Sequence, residues 1–143
     1  MYLPDINVWL AMAFEAHGHH TAARDWFGEI REGGCYFCRF TQAGFLRLAT
    51  NPTLLGGEAL TLADAWSVYD RILADDRIDY SPEPIGLDHL WRELTMTRKR
   101  SPKVWNDAYL AAFAKAGGLQ LVTFDSGFSK YKGVDCRILR KTG

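Results

Sequence analysis

The stretch MYLPDINVWLAM, residues 1–12, decides the fold of this chain. It opens with a short apolar run, places Asp5 directly after that run, and then becomes apolar again. A carboxylate at the end of a buried strand needs a partner, because burying an unpaired charge is costly. We predict a buried strand over residues 1–5 and a helix over residues 7–16 that Asp5 or Asn7 caps. Pro4 counts against the strand, since proline cannot donate to a sheet ladder.

The same alternation of strand and helix continues to the end of the chain. Short apolar runs predict strands over 35–40, 77–81, 119–124 and 134–139, and residues with a spacing of three to four predict helices over 20–32, 41–50, 62–74, 87–98 and 102–116. Thr61 and Ser101 are the expected N-caps, with Pro102 as the first residue of its helix. Strands that alternate with helices predict an α/β fold whose parallel sheet is covered on both faces.

Composition limits the class of protein. The chain has 143 residues, which predicts one domain over residues 1–143, and its 17 basic residues balance 17 acidic ones. No global electrostatic field therefore points to nucleic acid or membrane. Three cysteines are an odd count that suggests no disulfide framework and fits a reducing cytoplasm. We see no signal peptide and no apolar run long enough to span a bilayer.

Three acidic residues come together in this topology. Asp5 closes the first predicted strand and Asp125 follows the fourth, and the carboxyl ends of parallel strands are where α/β sheets bind ligands. Asp107 lies beside the apolar stripe of the last helix. Three carboxylates in one place repel each other unless a cation joins them. Oxygen ligands suit Mg²⁺ or Mn²⁺, which can orient a phosphodiester and activate water.

Each acid also has an ordinary structural explanation. Asp5 could cap the first helix, and Asp125, in the sequence DSG, could form an Asx-turn. Asp107 could be a partly solvated helix residue. For each acid taken singly the ordinary explanation is the more frequent one, but the three together favour a metal ion as the partner of Asp5.

The ordered set of motifs resembles PIN domains of the VapC toxin type. It consists of DIN at 5–7, TQAGFLRL at 41–48, DAYLAAFA at 107–114 and LVTFDSGF at 121–128. The resemblance implies a three-layer α/β/α fold with a parallel sheet of four or five strands. It also implies an Mg²⁺- or Mn²⁺-dependent endoribonuclease that acts on structured RNA such as tRNA or rRNA, is cytoplasmic and dimeric, and has an antitoxin partner encoded alongside.

The resemblance also assigns residues. Asp5, Asp107 and Asp125 match the acidic positions of the family, as catalytic residues and metal ligands, and Asn7 matches a position that orients the first acid. Thr123 is expected to act in the same way. The family usually has a Glu in the helix after the second strand, where this chain has no acid between Gly33 and Gly57 and Gln42 is the neutral oxygen donor. We therefore expect one tightly held metal ion. The alternative function is that of a PIN-fold module that binds RNA or protein without cutting.

A local basic stretch precedes the last acidic helix. TRKRSPK, residues 97–103, could follow RNA phosphates or could be a solvated helix end. Arg47 could reach the same cleft or an antitoxin. The predicted RNA-binding residues are Arg47, Arg98, Lys99, Arg100 and Lys103.

Overall fold

A five-stranded parallel sheet forms the centre of the computed structural model, which describes residues 1–141, so that the last two residues of the predicted domain lie outside it. The strands are β1 (Tyr2–Pro4), β2 (Cys35–Phe37), β3 (Ile78–Tyr80), β4 (Gln120–Thr123) and β5 (Cys136–Ile138). Their order across the sheet is β3-β2-β1-β4-β5. The chain thus builds outward from β1 on one side and returns to the other side with β4. That reversal leaves a crevice at the carboxyl ends of β1 and β4.

Helices cover both faces of the sheet. They are α1 (Ile6–Ala13), α2 (His20–Gly28), α3 (Arg39–Ala49), α4 (Pro52–Leu55), α5 (Leu62–Leu73), α6 (Leu87–Thr95) and α7 (Val104–Gly117), with 3-10 turns at Gly56–Glu58 and Ser126–Lys130. One apolar cluster joins α1, α2, α3 and α5 to the sheet, and a second joins α6 and α7 to its other face. The predicted three-layer α/β/α fold and its parallel sheet are confirmed. Within residues 1–141, no helix has the length and apolar character that crossing a membrane requires.

Pro4 lies where the pairing of β1 with β2 ends. β1 pairs with β2 through Tyr2 and Cys35, whereas Pro4 pairs with Val122 of β4 on the opposite side. The backbone N–H of Asp5 then donates to the carbonyl of Val122 at 2.8 Å. The N–H groups of a strand alternate in direction, and the N–H of Tyr2 donates to Gly34 beside β2, so the N–H that Pro4 lacks would have faced β2. The pairing with β2 stops before Pro4, while β1 stays bonded to β4 up to Asp5.

Several helix ends differ from the prediction. The N-cap predicted at Ser101 is wrong, because α7 begins at Val104, and Pro102 belongs to the turn before it. The helix α2 ends at Gly28 and not near Gly33, since the Glu29 N–H bonds to the carbonyl of Trp26 and tightens the last turn. The predicted cap of α5 is confirmed by the Thr61 side chain, which accepts from the Asp64 N–H at 3.1 Å.

Gly44 lets two helices of the same layer approach closely at the edge of the crevice. A Cβ on Gly44 would lie 2.2 Å from Cδ1 and 2.8 Å from Cγ1 of Ile6. Ile6 is the first residue of α1 and follows Asp5 directly. The contact therefore fixes how α3 sits against the start of α1.

We expect Gly44→Ala to lower the free energy of unfolding by about 1–3 kcal/mol, because the added methyl overpacks against Ile6. The same change in an Ile6→Ala background should cost much less, since the clashing atoms are gone. Gly28→Ala is the control, because a Cβ there meets nothing within 4 Å. Urea unfolding measures all of these variants. Equal costs of Gly44→Ala in the two backgrounds would contradict the contact.

Candidate active site

An acidic cleft of about 230 Å³ lies where β1 and β4 end side by side. Asp5, Asp107 and Asp125 all line it, as the topology predicts. Two asparagines, Asn7 and Asn106, add amide groups. The remaining walls are formed by Ile6, Phe40, Arg47, Leu48, Leu110 and Phe128.

Asp5 is held at the end of β1 by two hydrogen bonds. Its Oδ1 accepts from the Ile6 N–H at 2.7 Å and caps α1, and its Oδ2 accepts from Oγ1 of Thr123 at 2.9 Å. Burial raises the pKa of Asp5, the two hydrogen bonds lower it, and the negative charges of Asp107 and Asp125 raise it further. The net direction is upward. The charged form of Asp5 is thus only partly compensated by the protein itself.

Thr123 connects two of the acids. Its hydroxyl is fully buried in β4, donates to Asp5, and accepts from the backbone N–H of Asp125 at 3.0 Å. Both functions of the hydroxyl are therefore used. The structure brings Thr123 to the position expected of a residue that orients the acids.

Asp125 and Asp107 reach the cleft from different elements. Oδ1 of Asp125 accepts from the Gly127 N–H at 2.8 Å, so the Asx-turn and the position in the cleft occur together. Asp107 lies in the first turn of α7 without capping it. Burial, followed by the charge of Asp125, raises the pKa of Asp107, while Lys130 and Lys103 lower it. The net direction is again upward.

The structure does not bring Gln42 to the cleft. Gln42 is buried in α3, where its amide oxygen accepts from the guanidinium of Arg39. That guanidinium lies over the ring of Tyr80, 5.0 Å from its centroid, at the end of β3. Gln42 thus points toward the neighbouring strands and is not available to a ligand in the cleft.

The donor atoms suit a hard divalent cation, but they have not converged on one point. Within residues 1–141, no three side chains of His, Cys, Asp or Glu lie close enough together to hold a metal ion. Asp5 and Asp125 are fixed by their hydrogen bonds, so closer approach would fall mainly to Asp107. Like charges oppose that approach, and a cation reverses the balance. The oxygen donors therefore fit Mg²⁺ or Mn²⁺ by their chemistry.

Four of the five predicted basic residues lie in the loop before α7, and the fifth, Arg47, lines the cleft from α3. Arg98, Lys99 and Arg100 are exposed and follow the end of α6 at Thr95, so they are not part of a helix terminus. Lys103 is exposed and precedes α7 directly, close enough to act on the pKa of Asp107. None of these four side chains forms an ion pair with another residue in the range 1–141.

Two residues near the acids were not predicted from the sequence. Asn106 lines the cleft beside Asp107. Lys130 lies at the end of the 3-10 turn that follows Asp125, and its positive charge lowers the pKa of Asp107. The sequence signal for both is adjacency to a predicted acid, but which way each side chain points depends on how α7 packs against that turn.

A larger hollow, of about 320 Å³, lies elsewhere in the fold. It sits among α1, α2 and α5 and is mostly apolar, and its one carboxylate, Asp75, is paired with Arg77 at 2.9 Å. Volume alone would favour this hollow. The smaller cleft is the candidate site because three carboxylates meet there.

The chain is similar to known proteins over nearly its whole length. Residues 2–134 match the PIN domain family. Ribonuclease VapC41 of Mycobacterium tuberculosis is 47% identical, over 99% of this chain and 100% of the relative. The crystal structure of M. tuberculosis VapC20, a sarcin–ricin loop cleaving toxin, aligns with a TM-score of 0.67 at 16% identity, over 94% of this chain and 99% of that one. The structure of VapBC2 from Rickettsia felis bound to a promoter DNA fragment aligns with a TM-score of 0.66 at 13% sequence identity. The alignment covers 97% of this chain and 98% of that one.

We expect Asp107→Asn to raise the melting temperature of the metal-free protein at pH 7 by a few degrees. The pKa of Asp107 is higher in the folded chain, so its charged form opposes folding, and the neutral amide removes that penalty. The folded protein binds more protons than the unfolded chain between the ordinary aspartate pKa of 3.8 and the raised value. The penalty therefore grows as the pH rises through that window and disappears below it.

Thermal melts in EDTA across this pH range test whether Asp107→Asn raises or lowers the melting temperature. The matched control is Asp25→Asn, an exposed aspartate on α2. An Asp107→Asn protein that melts lower than the wild type at pH 7 would contradict the repulsive cluster.

Proposed function

The chain belongs to the PIN-domain family as a ribonuclease of the VapC type, and we propose that it cleaves structured RNA, such as tRNA or rRNA, at the acidic cleft. The observation that carries this proposal is the meeting of Asp5, Asp107 and Asp125 at the β1–β4 crevice. Support for a ribosomal or transfer RNA substrate comes from the resemblance to VapC toxins. The VapC20 structure is described as that of a sarcin–ricin loop cleaving toxin.

We propose that the three aspartates hold one Mg²⁺ or Mn²⁺ ion. When bound, such a cation polarises a phosphodiester and lowers the pKa of water for in-line attack. The chain itself supplies orientation. Thr123 fixes Oδ2 of Asp5, the Gly127 N–H fixes Asp125, and the amide of Asn7 lies at the same cleft beside Asp5. Fixing two acids in advance leaves less reorganisation to occur when the ion binds.

The basic loop is the proposed RNA contact. Arg98, Lys99, Arg100 and Lys103 lie just before the α7 turn that carries Asp107, so a backbone following them would lead its phosphates toward the cleft. Their charges are not neutralised by neighbouring carboxylates of residues 1–141. Free cations beside an acidic cleft favour a polyanionic substrate with one phosphate placed among the acids.

We further propose that a VapB-type antitoxin and a second copy of this chain bind the protein, and that it acts in the cytoplasm. The solved VapBC2 structure supports an antitoxin of this class. Apolar surface supports protein partners, because Leu62 and Trp66 of α5 are 76% and 51% exposed. The cysteines at 35, 38 and 136 are free, which fits a reducing compartment.

A PIN-fold module that binds RNA or protein without cutting is the second candidate. It is favoured by the absence of a carboxylate on α3 and by the incomplete convergence of the three acids within residues 1–141. Metal-dependent cleavage separates the two candidates, since only the enzyme needs an assembled cation site.

We expect millimolar Mn²⁺ to raise the melting temperature relative to EDTA, by mass action on the folded state, which alone assembles the acids. Asp125→Asn should lose most of this shift while keeping its turn, because an amide oxygen can still accept from Gly127. Asp25→Asn should keep the shift. Calorimetry at several Mn²⁺ concentrations measures it, and equal midpoints at every concentration would exclude an assembled site.

We expect cleavage of synthetic sarcin–ricin and tRNA anticodon stem-loops in Mn²⁺, and its loss in EDTA. Asp107→Asn should lower the rate by about 10² or more, since the cation would be held by fewer charges. Initial rates on end-labelled RNA give the measurement, with Asp25→Asn as control. If the wild type cuts neither RNA in Mn²⁺, the non-cleaving module becomes the better explanation.

We expect the triple variant Arg98→Ala, Lys99→Ala, Arg100→Ala to bind RNA more weakly, with a flatter dependence of log affinity on log salt. Turnover at saturating RNA should change little, because these residues contact phosphates away from the reacting one. Filter binding in EDTA at several salt concentrations measures the slope. An unchanged affinity and slope would make the loop an ordinary solvated surface.

A further inference from the structure

Arg47 is a positive charge at the acidic cleft that the fold itself does not use. It extends from α3 and lines the cleft together with the three aspartates. It forms no ion pair with any carboxylate of residues 1–141. The other arginine of α3, Arg39, is engaged by Gln42 and Tyr80. Arg47 is exposed and also borders the apolar depression that contains Leu62 and Trp66. An unpaired guanidinium on the wall of the cleft is available to an anion that enters the cleft.

Arg47 and Asp107 belong to opposite layers of the fold. The helix α3 packs in the apolar cluster of α1, α2 and α5, whereas α7 packs in the cluster on the other face of the sheet. The cleft lies between them at the carboxyl edge. Arg47 therefore lines the cleft on the α3 side and Asp107 lines it on the α7 side, and the cleft of about 230 Å³ is large enough for a phosphate group.

The α3 wall offers no acid at this level. Gly44 lies one turn before Arg47, and the side chain of Ile6 occupies the space beside it. A Cβ on Gly44 would be only 2.2 Å from Cδ1 of Ile6. No Asp or Glu occurs between Gly33 and Gly57. The charge of this wall is thus positive, and the negative charge of the cleft is confined to the other walls.

The net charge of the cleft with one cation bound indicates what Arg47 would do. Three carboxylates and one divalent cation leave one net negative charge, which Lys103 and Lys130 offset only on the side of Asp107. On the α3 side, a guanidinium adds further positive charge and can pair bidentately with two phosphate oxygens. Charge on those oxygens is also what a preorganised cation stabilises during phosphoryl transfer.

We propose that Arg47 is a catalytic residue that binds the scissile phosphate from the α3 side of the cleft and takes the place of a second metal ion. This inference rests on the proposed ribonuclease function. In the reaction, the water oxygen forms a bond to phosphorus while the bond from phosphorus to the leaving oxygen breaks, and the leaving oxygen keeps that electron pair. The attacking water loses one proton to solvent, and the leaving oxygen takes up one proton from solvent. Arg47 donates hydrogen bonds to the non-bridging oxygens throughout and neither gains nor loses a proton.

The test compares Arg47→Gln and Arg47→Lys with the wild type on the sarcin–ricin stem-loop. We expect Arg47→Gln to lower kcat at saturating RNA by about 10²-fold. Arg47→Lys should recover only part of this loss, because an ammonium is not a planar fork. The matched control is Arg31→Gln, an exposed arginine in the loop before β2, at the opposite edge of the sheet.

Two measurements without turnover complete the test. In EDTA, Arg47→Gln should bind the stem-loop more weakly, with a salt slope reduced by about one. Its Mn²⁺ affinity without RNA, measured by titration calorimetry, should equal or exceed that of the wild type, because a nearby positive charge is gone. A purely structural role would lower metal affinity and melting temperature together.

An unchanged kcat for Arg47→Gln at saturating RNA would overturn the proposal and would make Arg47 an RNA or antitoxin contact only. Two Mn²⁺ ions per chain before RNA is added would also overturn it, since no charge would be left for Arg47 to replace. If the wild type cleaves no RNA, the proposed function fails. The binding measured in EDTA still decides whether Arg47 contacts a phosphate, and an unchanged salt slope would then reject it.

Discussion

The charge of Asp5, half-buried at the end of β1, is the constraint on which the rest of the site depends. The protein stabilises this charge in part, because the Ile6 N–H donates a hydrogen bond to one carboxylate oxygen and the Thr123 hydroxyl donates to the other. Burial keeps the pKa of Asp5 raised, and the charges of Asp107 and Asp125 in the same cleft raise it further. A fold that places three acids together and compensates them incompletely fits a site completed by a cation.

The sheet order explains why the acids meet. Building outward from β1 and returning with β4 puts the residues after these two strands at one crevice, although 118 positions separate Asp5 from Thr123. The side-chain hydrogen bond between them joins the two halves of the chain. Opposite layers then supply Asp107 from α7 and Arg47 from α3. The site is therefore a consequence of topology more than of any local motif.

The sequence predicted those features that local chemistry determines. Strand and helix alternation indicated the layered fold, Thr61 caps α5, and Gly118 ends α7 with a φ of +65°. Features that depend on packing between elements were not predictable in this way. The start of α7 moved to Val104, and Gln42 was drawn to Arg39 and away from the cleft.

The ordinary and the functional interpretations of the acids also proved compatible. Asp5 caps a helix and Asp125 forms an Asx-turn, yet both line the cleft. In each case one oxygen makes the structural bond at the backbone. Local bonds of this kind hold a carboxylate in place, which is an advantage where the charges around it are repulsive.

The most direct test of the central claim is anomalous diffraction from crystals of the full chain soaked in MnCl₂. We predict one anomalous peak per chain within coordination distance of oxygens from Asp5, Asp107 and Asp125, with the Asp107 side chain turned toward the other two. Crystals of Asp107→Asn should show a weaker peak or none. Fully occupied Mn²⁺ bound elsewhere, with the three carboxylates still apart, would contradict a cation site formed by these acids.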